Sequence, residues 1–231
     1  MNWKGKKVII VGGTSGIGVA VADKLRKLGA EVMVLGRRPV EGLSIVHDVR
    51  DRDRIVPTFE SACQQLQGLD VLVYAAGIMP EVALDEFSTE KDAEMFEVNT
   101  LGAIAWMNAA ASRMQGTGHG VICVIGSLAG ERGRRGSPGY GASKAAIHTF
   151  AESLRNRLSP KGVIVSTIKP GPVDTPMTHH LSIKKMPLDT AAEKIVRLIP
   201  RSGEHTLTPV HRLIFFIIRH IPSSIFRRLP L

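Results

Sequence analysis

Tyr140 and Lys144 stand four apart in Gly139-Tyr140-Gly141-Ala142-Ser143-Lys144, and Ser127 precedes the tyrosine at the end of a strand-like run. A four-residue step puts two side chains on one helix face about a turn apart, so the Lys144 ammonium comes near the Tyr140 phenol. A free phenol, with a pKa of about 10, is only ~0.1% ionised at neutral pH. A neighbouring cation favours the phenolate and moves the group toward proton transfer near neutrality. The chemistry open to these residues is therefore acid-base work on an oxygen, with the serine hydroxyl as hydrogen-bond partner. A tyrosine and lysine at this spacing are more often a solvated helix face, so the reading depends on what surrounds them.

Residues 7–18 read Lys-Val-Ile-Ile-Val-Gly-Gly-Thr-Ser-Gly-Ile-Gly. An apolar β-branched run leads into a loop with Gly12, Thr14, Ser15, Gly16, Ile17 and Gly18, and a helical pattern follows to Leu28. The pattern predicts a strand, a phosphate loop and a helix. Glycines let the backbone turn tightly and approach a pyrophosphate, and a helix N-terminus offers unpaired N–H groups and positive dipole to the anion. The spacing is G-x-x-x-G-x-G, not the G-x-G-x-x-G of most dinucleotide folds. A second strand over 31–36 is the place for an acid that would bind the ribose 2′-hydroxyl of NAD. The chain has Gly36-Arg37-Arg38 there. Guanidinium groups at Arg37 and Arg38 suit a 2′-phosphate, so NADP(H) is the preferred cofactor. NAD(H) stays open, because both arginines could be solvated loop charges.

Taken together, these motifs resemble the short-chain dehydrogenase/reductase family over nearly the whole chain. Asp48-Val49 matches the family's adenine-contacting pair, Asn99 its structural and catalytic asparagine, and Ser127, Tyr140 and Lys144 the remaining catalytic positions. Pro170-Gly171, Val173 and Thr175 match the segment that holds the nicotinamide. Tyr74-Ala75-Ala76-Gly77 stands where the family has Asn-Asn-Ala-Gly, which removes a side chain that braces the sheet but keeps the close approach at Ala76 and Gly77. The resemblance implies interconversion of a ketone and a secondary alcohol, with reduction favoured by an NADPH pool. It gives Tyr140 the proton, Ser127 the substrate oxygen, and Lys144 the nicotinamide ribose and a lowered tyrosine pKa. Asn99 positions a relay water. It also implies a homodimer or homotetramer formed through helices over 89–114 and 140–158. The alternative class is a dinucleotide sensor without turnover, which has no need of the four catalytic side chains.

The rest of the chain must position these residues. Strand patterns over 7–12, 31–36, 43–47, 69–76, 120–127, 163–169 and 206–210 alternate with helical patterns over 17–28, 51–66, 89–114 and 140–158. This predicts a single α/β domain, a Rossmann-like doubly wound parallel sheet with helices on both faces, whose ligands bind beyond the carboxyl ends of the strands. Residues 1–210 form the catalytic unit and 211–231 an apolar, basic helical extension. Cys63 and Cys123 fall in core patterns and read as reduced thiols. Histidines lack metal-ligand spacing, His179-His180 included, so no metal is expected. The chain enters its first strand within a few residues of Met1, leaving no room for a signal peptide, and it has no apolar run of membrane-spanning length. A cytoplasmic location is the default expectation, with membrane association left open.

The formal net charge is +9, but without aromatic interleaving it does not indicate nucleic acid. Arg132, Arg134 and Arg135 lie between Ser127 and Tyr140, as a solvated loop or as a site for an anionic group. From Pro209 the chain is densely apolar and edged with arginine, and Pro222 is expected to divide it into two short helices. Such a segment could pack into the protein, which is the favoured role, form a subunit contact, or lie in a lipid interface. Its wording, Arg219-His220-Ile221-Pro222 with Ile225-Phe226-Arg227-Arg228-Leu229-Pro230, is similar to the terminus of actinobacterial polyprenyl-phosphoryl 2-keto-ribose reductases. That likeness covers mainly the tail and does not by itself identify the substrate; a small or lipid-like carbonyl compound is expected, with a lipid-linked keto-sugar as the alternative.

Overall fold

The computed structural model describes residues 1–229, so Pro230 and Leu231 of the terminal segment lie outside the described residues. Seven strands, β1 (Lys7–Val11), β2 (Glu31–Gly36), β3 (Ser44–Val46), β4 (Val71–Tyr74), β5 (Gly120–Ile125), β6 (Val163–Lys169) and β7 (Gly203–Thr206), form one sheet. Its order is β3-β2-β1-β4-β5-β6-β7 and every pairing is parallel. Parallel strands need crossovers that cover both faces, which is why the central strands read as continuous β-branched runs such as Val8-Ile9-Ile10-Val11 and are buried throughout.

Helices α1 (Gly16–Lys27) and α6 (Leu188–Leu198) cover one face. Val21, Leu25, Ala191 and Ile195 from these helices pack on Val8, Ile10 and Val34. On the other face lie α2 (Ile55–Gln65), α4 (Ala103–Thr117) and α5 (Pro138–Leu158), with Phe59, Trp106, Met107 and Ile147 buried against Ile9, Leu72 and Ile122. Strand order reverses between β1 and β4, and that switch point opens the crevice in which doubly wound sheets bind ligands.

Four local departures from the sequence expectations bear on the site. The helix expected over 89–114 is α3 (Thr89–Phe96) and α4 joined by a wider π turn, Glu97–Gly102, which holds Asn99. Helix α6 has no counterpart among the expected elements. The last strand is Gly203–Thr206, not 206–210: Thr208 accepts a hydrogen bond from the His211 N–H, Pro209 takes the first helical position, and the apolar run winds into α7 (Pro209–His220). Pro222 does divide the tail, with the short helix α8 (Ser223–Phe226) following. Burial of that tail is not observed. Among the described residues of 211–229 only Phe226 is buried, and α7 exposes most of its apolar side chains.

Candidate active site

The glycine loop joins β1 to α1 beneath the crevice. Gly12 has φ +84°, and a Cβ there would collide with the Ala76 backbone, so both conformation and space require glycine. Gly18 lies against the Gly12 carbonyl and seats the loop on its helix. Thr14, Ser15, Gly16 and Ile17 line the crevice at the α1 N-terminus, and the Ser15 side chain makes no cap hydrogen bond. The helix therefore presents free N–H groups and positive dipole to the crevice, a cradle that fits a pyrophosphate.

Further along the lining stand Gly36, Arg37, Asp48 and Val49. Arg38 is exposed and is not part of the wall. A Cβ on Gly36 would come within 2.5 Å of the Thr14 methyl, so the small residue is needed for packing in addition to any room it leaves for a ligand. Asp48 pairs with Arg50 at 2.6 Å, and that hydrogen bond holds its carboxyl below the ordinary carboxylate range. Ala76, Gly77, Pro170, Gly171, Val173 and Thr175 complete the expected set. His47, Ile78, Val98, Ile125, Gly126, Pro176, Met177 and Thr178 also line it; they carry no motif, and only the fold brings them there.

Ser127, Tyr140 and Lys144 converge at the opposite end, where this crevice meets a second cavity. Lys144 is 5% exposed, with Nζ donating to the Ile125 carbonyl at 3.0 Å and standing 5.8 Å from the centre of the Tyr140 ring. Burial lowers its pKa to about 8. The expectation that Lys144 draws the phenol down does not hold for the chain alone. Burial raises the Tyr140 pKa, opposed by a hydrogen bond with the Ser127 side chain and by the charge of Arg134. The buried ammonium and the phenol thus each disfavour their charged form.

Asn99 sits in the π turn behind the lining. Its Nδ2 donates to the Ile78 carbonyl at 3.0 Å and to Ser143 Oγ at 3.1 Å, and its Oδ1 accepts the Ile78 N–H at 2.8 Å. A Cβ on Gly77 would lie 3.2 Å from Asn99 Oδ1 and 3.5 Å from Lys144 Nζ, so both atoms face the same open side of that glycine. The bracing lost with the family's asparagine has a replacement. Tyr74, fully buried, donates its phenol hydrogen to the Val98 carbonyl at 2.6 Å and ties β4 to the π turn.

Behind Ser127 lies a polar cluster without a sequence motif. The Ser127 N–H donates to His148 Nε2 at 3.3 Å, so the proton of the neutral ring sits on Nδ1, 3.9 Å from Glu131 Oε1. Burial and the charges of Lys169, Lys144 and Arg219 push the His148 pKa down to about 3. Glu131, its side chain 6% exposed, pairs with Lys169 at 2.5 Å and with Arg219 of α7 at 2.9 Å. Residues 140, 144 and 148 follow one helix stripe, the single signal that could have indicated His148.

The second cavity, about 740 Å³, is bounded by Ser127 and Tyr140 at its inner end and by Met79, Leu128, Pro138, Leu181, Ile183, His211 and Phe215. The tail thus completes it: a Cβ on Gly171 would come within 2.6 Å of the His211 ring. The arginines before Tyr140 divide their work. Arg132 donates to the carbonyls of Ile218 and Ile221 at 2.5 and 2.6 Å and stacks over Phe226 at 4.1 Å, and Arg135 donates to the Arg227 carbonyl at 3.2 Å. Arg134 alone of the three lines the cavity without such a bond. Cys63 and Cys123 are buried free thiols. Among the described residues there is no cluster of metal-ligating side chains and no helix long and apolar enough to cross a membrane.

A doubly wound parallel sheet with this crevice and this acid-base group defines an oxidoreductase of the Rossmann-like class. The chain belongs to the short-chain dehydrogenase family, whose sequence model matches residues 6–185. A vibriobactin-specific 2,3-dihydro-2,3-dihydroxybenzoate dehydrogenase of Vibrio cholerae is 31% identical over 196 residues, 78% of this chain and 75% of that protein. A short-chain dehydrogenase from Burkholderia cenocepacia in complex with NADP superposes with a TM-score of 0.87 at 22% identity, covering all of both chains. A further Burkholderia cenocepacia structure, likewise a short-chain dehydrogenase with NADP, has a TM-score of 0.78 at 25% identity over 89% of this chain and 97% of the other.

Proposed function

We propose that the protein is an NADP(H)-dependent reductase of an apolar or lipid-like ketone, acting through Asn99, Ser127, Tyr140 and Lys144. The observation that carries this reading is the meeting of the two cavities at Ser127 and Tyr140, with the glycine-loop crevice on one side and a larger, mainly apolar cavity on the other. Arg37 in the crevice wall, the absence of an acid at the end of β2, and the NADP complexes of the Burkholderia relatives favour NADP(H) over NAD(H). The α1 N-terminus and Gly12 hold the pyrophosphate, Asp48 and Val49 the adenine, and Pro170 to Thr175 the nicotinamide. When bound, the nicotinamide supplies the hydride to the carbonyl carbon.

The protein's own groups do the rest. Ser127 donates to the substrate oxygen and fixes it beside the phenol, and Tyr140 gives its proton to that oxygen as negative charge develops. A phenol held neutral by burial is in the correct form for reduction. Lys144 would bind the ribose hydroxyls, and its ammonium favours the phenolate left on Tyr140 once the proton has been given. Asn99 Oδ1 and Lys144 Nζ, facing the same side of Gly77, place the relay water. His148 holds the Ser127 backbone in register. A lipid-linked keto-sugar is the second reading, favoured by Arg134, His180 and His211 on the wall of the second cavity. A homodimer or homotetramer, a catalytic unit over 1–210 with an extension over 211–231, a cytoplasmic location and peripheral membrane contact through the tail belong to the same reading.

The test is a panel of ketones and secondary alcohols, graded from small to long-chain and with phosphate-bearing members, assayed with NADPH, NADH and the oxidised forms. NADPH oxidation with apolar ketones is the expected result. Turnover with NADH alone, or with no carbonyl compound on the panel, would count against it.

A further inference from the structure

We infer that the outward face of α7 docks on an anionic lipid bilayer and thereby sets the mouth of the apolar cavity against the membrane, so that the carbonyl substrate enters from the lipid phase. The second half rests on the proposed ketone reductase; docking itself does not. Helix α7 turns His211, Phe215 and Ile218 toward the protein and leaves Val210, Leu213, Phe216 and Ile217 outward, 63, 62, 62 and 54% exposed. These positions, with Ile214 between them, share one face at helical spacing. Ile225 of α8 and Ile183 on the loop at the cavity wall extend the apolar surface. A helix face this apolar and this exposed marks a docking face.

Charge decides the occupant. From Leu207 to Leu229 the chain has Arg212, Arg219, Arg227 and Arg228 and no acidic residue. Arg219 is used internally by Glu131, whereas Arg212, Arg227 and Arg228 are exposed and form no ion pair among the described residues. Exposed Lys184 stands next to Ile183. An apolar face rimmed by unpaired cations matches a membrane surface with anionic headgroups. A two-fold contact between copies of this chain would instead repeat the same cation-rimmed patch on both sides, with no carboxylate to answer it.

The helix is also held as a docking element must be. Arg132 accepts no freedom of its own: it binds the carbonyls at the end of α7 and stacks on Phe226, while Arg219 anchors the helix to Glu131. The face that points outward is therefore fixed relative to the cavity, and Phe215 on the inner side of the same helix lines that cavity.

The full chain is incubated with phosphatidylcholine vesicles and with vesicles that also contain phosphatidylglycerol, and the bound fraction is measured by flotation. Binding to the phosphatidylglycerol vesicles, weakened by salt, is expected. Two variants, Leu213→Glu with Ile217→Glu, and Arg212→Glu with Arg227→Glu and Arg228→Glu, should each lower the vesicle partition coefficient about 100-fold. None of these residues lines either cavity, so NADPH affinity, thermal stability and turnover of a water-soluble ketone should match the wild type and show that each variant is folded. Turnover of a long-chain ketone confined to vesicles should fall in parallel with binding. Vesicle binding is read without turnover, so loss of the reductase reading and loss of docking are separate results. The inference is overturned if the wild type ignores anionic vesicles, or if the acidic variants bind them as the wild type does. It is also overturned if those variants split a wild-type oligomer that has no vesicle affinity, because the face then covers a second copy.

Discussion

Replacing Lys144 with methionine should make the ligand-free protein easier to study and useless as a catalyst, and the pH dependence of that exchange can be worked out. The lysine is buried with one carbonyl partner, and its pKa falls from 10.5 to about 8. At ~1.4 kcal/mol per pH unit, keeping the ammonium in the fold costs about 3 kcal/mol relative to the unfolded chain. The sign follows from linkage: between about pH 8 and 10.5 the unfolded chain binds the proton and the folded chain has released it, so folding stability rises with pH across that window. Below it the penalty is present in full. Lys144→Met removes the titration but leaves the Ile125 carbonyl without its partner, a loss of about 1 kcal/mol. Urea unfolding of both proteins from pH 7 to 10.5 should show the wild type gaining about 3 kcal/mol on the variant, with cofactor binding lost in the variant throughout. A stability difference that stays flat across that range would refute the picture of a charged lysine held in the fold at a cost.

Other outcomes follow from the same structure. Arg37→Ala should weaken NADPH by roughly 10- to 150-fold, the value of a charge-assisted contact of about 1.5–3 kcal/mol, and leave NADH nearly unchanged; titration of both cofactors decides, and an equal loss for both removes the phosphate clamp. Arg132→Ala takes two charge-assisted hydrogen bonds from the end of α7, offset by about 2 kcal/mol of regained side-chain freedom and by solvent screening. Hydrogen exchange across 209–226 should then quicken about 10-fold, for a net loss of about 1–2 kcal/mol, and unchanged protection would show that the helix is held by other contacts. Phe215→Ala should raise KM for a long-chain ketone about tenfold while leaving NADPH affinity alone; an unchanged KM would place the substrate elsewhere.

The sequence made legible those parts of the site that depend on local backbone chemistry. Gly12, Gly16 and Gly18 between a β-branched run and a helix can do little else, and the four-residue step from Tyr140 to Lys144 fixes a shared helix face. What escaped depends on tertiary context. The helical tail was legible, but its start was not: the last strand was expected over 206–210, whereas it ends at Thr206 because Thr208 caps a helix that opens at Pro209. Arg132 and Arg135 read as solvent or ligand charges because the carbonyls they bind lie more than eighty residues away. The direction of the Tyr140 shift was misjudged for a related reason: spacing reveals that a cation is near, not that both groups are desolvated. Glu131, His148 and Lys169 come from a turn, a helix and a strand, and no linear pattern joins them.

The account stands on Tyr140 as the proton donor, and Tyr140→Phe tests that most directly, since the ring and its packing remain while the transferable hydrogen is removed. With NADPH and the best ketone of the panel, kcat should fall by roughly 10²–10⁴-fold, while NADPH affinity and thermal stability stay close to the wild type. A variant that folds, binds NADPH and keeps more than about a tenth of the wild-type kcat would contradict it, because general acid catalysis by that phenol could then not be what drives the reaction.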